Sequence, residues 1–219
     1  MHERECRKQF SVLVGTVTEN TKITLTKWFL AMYILSNHIK GISSLQLAGW
    51  SRVTQKTEWF LNHRIREMLI EKAPEVLSGI VEVDETFVGG KWINKHKSKK
   101  VGKTHADDKT MVFGAVERDG KVITKIVEDT AKDTLVNAVK DNVEKGSIMV
   151  SDEHGAYKCL GSDYKHVSVH HGNKEYVRKA AHTNTIEGFW SLLKRQISGM
   201  HHNVSPKHLQ RYCNESAYR

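Results

Sequence analysis

The strongest constraint on the fold is a change in hydrophobic periodicity near Gly79, within a chain of 219 residues. Before this glycine, apolar side chains recur at helical spacing, as Leu25, Trp28, Met32 and Leu35 do. After it, apolar residues alternate or form short runs, which is typical of strands. The sequence therefore predicts a helical region followed by an α/β region.

Four segments after Gly79 have the pattern of strands, and they cover residues 80–88, 111–116, 122–127 and 148–150. Helices are predicted over residues 133–144 and 183–197, and Asp119-Gly120 indicates a tight turn between the second and third strands. A hairpin meander followed by a helical crossover predicts a mixed sheet with helices on its faces.

The region before Gly79 is predicted to be helical over residues 21–78, after a short, polar, strand-like segment over residues 1–20. Ser43 is the expected N-cap of a short helix that ends at Ala48, because Gly49 is expected to break it. Thr54 is the expected N-cap of a longer helix.

Charge and composition narrow the class of partner. Lys and Arg number 34 against 25 Asp and Glu, a formal net charge of +9, which favours a polyanion such as nucleic acid. No apolar run approaches the ~20 residues that span a bilayer, and the charged N-terminus lacks a signal-peptide core. Three separated cysteines cannot form a disulfide framework. We therefore expect a cytoplasmic protein without a membrane partner.

Three acids stand out from this pattern. Asp84 lies within the apolar strand 80–88 on the same face as Glu82, and Asp152 directly follows the strand 148–150. Glu187 borders the apolar stripe of the last predicted helix. The first strand is apolar enough to be central, and a buried acid on it needs a cation or a hydrogen bond. Ordinary solvent-facing acids are the alternative.

Two aspartates and a glutamate would form an oxygen-only ligand set, which suits Mg²⁺ or Mn²⁺. Two such ions about 4 Å apart clamp the attacking and leaving oxygens of a phosphodiester. The acids therefore make a metal-dependent phosphoryl-transfer site one interpretation of this chain.

Four ordered stretches of the chain resemble the insertion-sequence transposases of the ISXO and Merlin-related group. They are VDETFVGG (83–90), VFGAVER (112–118), SDEHGAY (151–157) and HTNTIEGFWSLLKR (182–195). The resemblance implies an Asp-Asp-Glu catalytic domain of RNase H-like fold over residues 79–219. Upstream, residues 41–48 and 53–57 also look like the family's helix-turn-helix, which lies within residues 21–78.

The resemblance implies a role for each acid. Asp84 and Asp152 match the two catalytic aspartates. Glu187 matches the third acid, with Asn184 as the rival for that position. Lys194 matches a basic residue that such transposases often carry. The implied reaction is hydrolysis at the ends of an insertion sequence, followed by attack of the freed 3′-hydroxyl on target DNA.

The implied cofactors are two Mg²⁺ or Mn²⁺ ions. The implied partners are the terminal inverted repeats, the target DNA and further copies of the chain in a synaptic complex. The resemblance also implies a bacterial, nucleoid-associated protein.

Further side chains are predicted to contact DNA, because basic and amide groups bind phosphates and groove edges. In the helix-turn-helix they are Gln55, Lys56, Arg64 and Arg66. In the lysine-rich loop over residues 91–109 they are Lys97, Lys99 and Lys100. His154 and His182, near the proposed acids, are candidate accessory contacts. A plain helical hairpin and a solvated loop are the alternatives.

The chain departs from the family at its start. Members often carry a zinc ribbon with paired C-x-x-C knuckles, but Cys6 has no such partner, and Glu3 stands where one would be. One thiolate cannot build a tetrahedral zinc site. Residues 1–20 are thus interpreted as a zinc-ribbon remnant, with no zinc expected. Two alternatives remain: an inactive or truncated transposase that only binds DNA, and an RNase H-like nuclease without strand transfer.

Overall fold

The computed structural model describes residues 11–69, 76–90, 93, 96–100, 109–152, 155–169 and 182–219. The chain divides into two compact units. The first comprises residues up to Ile70 together with Arg219, and the second is Glu71–Tyr218. The division falls shortly before the boundary predicted at residue 79.

The first unit contains three helices, α1 (Leu25–Asn37), α2 (Ser44–Ser51) and α3 (Gln55–Met68). Their apolar faces enclose a core of Trp28, Ala31, Leu35, Ile42, Leu47, Leu61 and Ile65. The predicted caps are confirmed, because the Ser43 and Thr54 side chains accept hydrogen bonds from backbone nitrogens three residues later. These bonds satisfy donors that have no partner within the helix.

Two local predictions for the first unit are wrong. Helix α2 continues past Ala48 to Ser51 and stops where Arg52 adopts a left-handed conformation, with φ of 52°. Residues 11–20 form consecutive turns instead of a strand. Hydrogen bonds between residues three apart stabilise these turns, and the hydroxyl of Thr16 bonds both a carbonyl and the hydroxyl of Thr18.

The second unit is built on a five-stranded sheet in the order β3-β2-β1-β4-β5. Its elements are β1 (Ile80–Val88), β2 (Thr110–Glu117), β3 (Val122–Val127), α4 (Lys132–Asn142), β4 (Ile148–Ser151), β5 (Lys165–Ser168), α5 (Asn184–Gln196) and α6 (Pro206–Tyr218). The first three strands pair antiparallel, whereas β4 lies parallel to both β1 and β5. Strand β1 is therefore central, as predicted.

Alternation along β1 divides the interior into two layers. Val81 and Val83 pack with α4 and with the 3₁₀ helix over Gly155–Ser162. On the other face, residues of β2 pack with α5 and α6, including Val112, Trp190 and Leu209. A mixed sheet with helices on both faces confirms the predicted α/β class. No helix in the described ranges is long and apolar enough to cross a membrane.

Candidate active site

Glu82 connects the central strand to the start of α5. Its side chain is fully buried and accepts hydrogen bonds from the backbone nitrogens of Thr185 and Ile186, at 2.9 and 3.1 Å. The hydroxyl of Thr185 donates a third bond at 2.9 Å, and Arg118 forms an ion pair at 3.1 Å. A carboxylate at a helix N-terminus satisfies free N–H groups and opposes the helix dipole. Glu82 therefore caps α5 from another element.

Asp84 lies two residues along β1 on the same face and also contacts α5. The indole Nε1 of Trp190 donates a hydrogen bond to Oδ2 of Asp84 at 3.0 Å. Opposite Asp84, on β2, stands Gly114. A Cβ atom at Gly114 would lie 2.5 Å from the Trp190 ring. The missing side chain at this glycine thus makes room for the indole.

Asp152 directly follows β4, whose last residue, Ser151, pairs with Val83 of β1. Because these strands are parallel, Asp152 lies at the same level of the sheet as Asp84. The hydroxyls of Ser151 and Ser168 both donate to the backbone carbonyl of Asp152, at 2.9 and 3.2 Å. Two hydrogen bonds to one carbonyl hold the backbone at this strand end.

Burial and the charges of neighbouring carboxylates raise the pKa of two acids in this region, Asp84 and Glu85. Burial raises the pKa of Asp84 to about 6, and the charges of Asp152 and Glu187 add to the increase. The backbone N–H of Glu85 and the Trp190 indole partly oppose it. Burial, followed by the charges of Asp84 and Asp152, raises the pKa of Glu85 to about 8. Burial and neighbouring negative charges therefore act on Asp84 and Glu85 where β1, β4 and α5 meet.

Glu85 was not among the predicted site residues. It points to the opposite face of β1 from Asp84, the face on which the buried apolar residues Val81 and Val83 lie. The available signal was its position directly after Asp84 in an otherwise apolar strand.

The two candidates for the third ligand lie in the first turn of α5. Glu187 and its rival Asn184 are both exposed, and the hydroxyl of Thr183 donates to Oε1 of Glu187 at 2.9 Å. Lys194 is exposed further along the helix. His182, the predicted accessory residue, lies beside Glu82, with its Nδ1 3.3 Å from Oε1 of that residue. His154 lies outside the described residues.

The residues predicted to bind DNA in the first unit differ in exposure. Gln55 and Lys56 are exposed at the start of α3. The Arg64 guanidinium lies 5.8 Å from the ring centres of both Trp28 and Phe60. The structure contradicts the prediction for Arg66, whose side chain is 2% exposed and belongs to the interior.

In the lysine-rich loop, Lys97 is exposed and Lys100 is half-buried. The side chain of Lys99 lies outside the described part of the structure.

The donor chemistry fits a divalent cation. Asp84, Asp152 and Glu187 offer only carboxylate oxygens, which hard cations such as Mg²⁺ prefer. Bringing a cation among them would reverse the repulsion that raises the pKa of Asp84. Across the described ranges, no three His, Cys, Asp or Glu side chains are grouped closely enough to hold a metal ion.

Comparison with known proteins agrees with the resemblance found in the motifs. The chain is 30% identical over 222 residues to an uncharacterized protein in transposable element ISH50 of Halobacterium salinarum, covering 95% of this chain and 74% of the relative.

Solved structures with some likeness include a simian T-cell lymphotropic virus intasome in complex with PP2A regulatory subunit B56 gamma. It shows 13% identity and a TM-score of 0.38, with 84% of this chain and 66% of that chain covered. A pre-cleavage Mos1 transpososome shows 11% identity and a TM-score of 0.28, with 85% and 78% covered. These values are too low to bear on the function of this chain.

The family model that matches the chain describes an ISXO2-like transposase domain and covers residues 76–219. This match includes the whole sheet, α5 and α6, and all three acids that the motifs single out. The chain belongs to the family of ISXO2-like transposases.

Proposed function

We propose that this protein is a DNA transposase that cleaves DNA at insertion-sequence ends and transfers the freed strand into target DNA. One observation carries the proposal. Burial, together with the charges of Asp152 and Glu187, raises the pKa of Asp84 on β1 to about 6. A buried carboxylate is costly without a partner, and a strongly raised pKa is typical of functional sites.

Asp84, Asp152 and Glu187 would hold two Mg²⁺ or Mn²⁺ ions. When bound, such ions activate the attacking oxygen and stabilise the leaving oxygen of a phosphodiester. The protein's part is to hold each carboxylate in place. Trp190 donates to Asp84, the hydroxyls of Ser151 and Ser168 hold the backbone of Asp152, and Glu82 secures the helix of Glu187.

DNA is the proposed partner, both as terminal inverted repeats and as target, and a homo-oligomer would form the synaptic complex. The net charge of +9 supports a polyanionic ligand. Exposed Gln55 and Lys56 at the start of α3 suit a recognition helix within the helix-turn-helix of residues 21–78. Lys97, Lys100 and Lys194 would add phosphate contacts to residues 79–219, the proposed catalytic domain. Acting on DNA, the protein would work at the nucleoid of a bacterial cell.

The test is cleavage of duplex oligonucleotides that carry the inverted repeats flanking the gene, with and without Mg²⁺. We expect Mg²⁺-dependent cuts at the repeat ends. Asp84→Asn and Asp152→Asn should abolish them while DNA binding is retained. Asp141→Asn is the matched control, because Asp141 forms an exposed ion pair with Lys125. Cleavage that survives both site variants would contradict the proposal.

A second assay follows joining of a labelled 3′-end to target DNA. Joined products are expected from a transposase. Cleavage without joining would identify a nuclease without strand transfer. Binding to the repeats without cleavage would identify a protein that only binds DNA.

A further inference from the structure

We propose that Trp190 is a positioning residue for Asp84, orienting that carboxylate for cation binding. This inference rests on the proposed function, because it assigns a supporting residue to the same site. The sequence pattern places Trp190 in the apolar stripe of α5, which by itself indicates only a core residue.

The geometry goes beyond core packing. Trp190 is 4% exposed, and its one polar atom, Nε1, lies 3.0 Å from Oδ2 of Asp84 across 106 positions of sequence. A buried indole N–H requires an acceptor, and here the acceptor is the first of the three matched acids. A carboxylate has about four acceptor positions, so the indole does not saturate Asp84.

Gly114 completes the arrangement. It stands opposite Asp84 in the antiparallel register of β1 and β2. A Cβ there would lie 2.5 and 2.6 Å from two carbons of the Trp190 six-membered ring, and 3.3 Å from Ile186. The indole thus occupies the space that any other residue at 114 would fill. Two elements, β2 and α5, therefore cooperate to place one donor on Asp84.

The hydrogen bond from Trp190 affects cation binding because it restricts the motion of the Asp84 carboxylate. An unsupported carboxylate rotates about its terminal torsion, which is broad and soft. A fixed donor on one oxygen restricts that rotation, and loss of such supporting hydrogen bonds typically lowers metal affinity or activity about 10–100-fold. Trp190 would therefore affect the affinity for the cation more than the affinity for DNA.

The experiment compares Trp190→Phe with the wild-type chain. Mn²⁺ binding is measured by titration calorimetry, DNA binding by anisotropy, and cleavage as a function of Mn²⁺ concentration. We expect the Kd for Mn²⁺ to rise about 10–100-fold, with DNA affinity unchanged. High Mn²⁺ concentration should rescue cleavage in Trp190→Phe but not in Asp84→Asn. A residue that only stabilises the fold would not shift the Mn²⁺ dependence in this way.

Two glycine variants sharpen the comparison. Gly114→Ala should reproduce the Trp190→Phe effect, because its Cβ would displace the indole. Gly188→Ala, in the same helix as Trp190, is the matched control, since a Cβ there meets nothing within 4 Å. It should leave Mn²⁺ binding unchanged.

The wild-type protein supplies a measurement that does not depend on a variant of the indole. The Trp190 indole N–H resonance should exchange slowly with solvent, and both Asp84→Asn and added Mg²⁺ should shift it. An indole resonance insensitive to both would overturn the inference, as would equal Mn²⁺ affinity in Trp190→Phe and wild type. If instead wild-type protein binds no Mn²⁺, the proposed function and this inference both fail.

Discussion

The carboxylate of Glu82 accepts hydrogen bonds from the backbone nitrogens of Thr185 and Ile186, which lie more than 100 positions later in the chain. The bonds join the central strand to the first turn of α5. Asn184 and Glu187, the two candidates for the third ligand, lie in that same turn. The placement of the third acid relative to Asp84 therefore depends on Glu82.

Glu82→Gln should destabilise the protein, because the neutral amide loses the ion pair with Arg118 and directs N–H groups toward helix N–H donors. Breaking a buried ion pair from one side costs about 3–5 kcal/mol. Urea unfolding measures the loss. Glu117→Gln is the control, since the Glu117 carboxylate is part-buried and accepts hydrogen bonds from Ser78. Equal stabilities of the two variants would show that Glu82 does not anchor α5.

Glu187→Gln and Asn184→Ala should separate the two candidates for the third ligand. A carboxylate offsets the cost of dehydrating Mg²⁺ better than an amide oxygen does. We expect Glu187→Gln to abolish metal-dependent cleavage and Asn184→Ala only to reduce it. Single-turnover cleavage of an oligonucleotide gives the readout. The opposite result would assign the ligand to Asn184, and tolerance of both changes would contradict an Asp-Asp-Glu mechanism.

The stability of the metal-free protein should fall as pH rises. The pKa of Glu85 is raised from 4.5 to about 8, and that of Asp84 from 3.8 to about 6. Raised values mean that folding favours the protonated carboxyls. Their contribution is therefore complete below about pH 4 and is lost as pH rises through about 6 for Asp84 and about 8 for Glu85.

Glu85→Gln removes one of these titrations, so it should stabilise the protein at pH 9 more than at pH 4. One unit of pKa corresponds to about 1.4 kcal/mol, which makes a few kcal/mol the upper limit of the gain. Chemical unfolding at the two pH values tests this expectation. A gain that is the same at both values would show that Glu85 is not held in its protonated form by the fold.

Gly114→Ala and Gly188→Ala should change stability in opposite directions. At Gly114 the new methyl meets the Trp190 ring, and overpacking costs about 1–3 kcal/mol. At Gly188, inside α5, alanine improves helix propensity by about 0.5–1 kcal/mol. Thermal unfolding of both variants provides the measurement. A Gly114→Ala variant as stable as the wild-type protein would mean that the Trp190 indole has space to move.

Lys56→Ala and Arg66→Ala should affect different properties, although both residues lie on α3. Lys56 is exposed, so its loss should weaken DNA binding and reduce the salt slope by about 1. Arg66 is buried, so its loss should lower stability by about 1–3 kcal/mol without a change in the salt slope. DNA binding across a salt series and urea unfolding test the pair. A reduced salt slope for Arg66→Ala would show that Arg66 contacts DNA.

Local pattern was sufficient for much of the fold. Alternating apolar residues predicted the first strand over 80–88 with the bounds that β1 has, because side chains alternate between faces within any strand. Ser43 and Thr54 marked helix starts, since a cap bonds a backbone nitrogen only three residues away. Gly49 misled the prediction for α2, because an isolated glycine weakens a helix without ending it.

Tertiary contacts decided which residues hold the acids of the candidate site in place. Glu82 and Asp84 share one face of β1. No local signal distinguishes Glu82, which caps α5, from Asp84, which matches the first aspartate of the family motif. Their difference arises from contacts with α5 more than 100 positions away. Arg66 has the polarity of a DNA contact, yet helix packing buries it. Sequence alone determined which residues carry charge and which strand is central. The three-dimensional fold decided which of those charges are buried and which groups they bond. The reason is that burial and pairing depend on residues far apart in the chain.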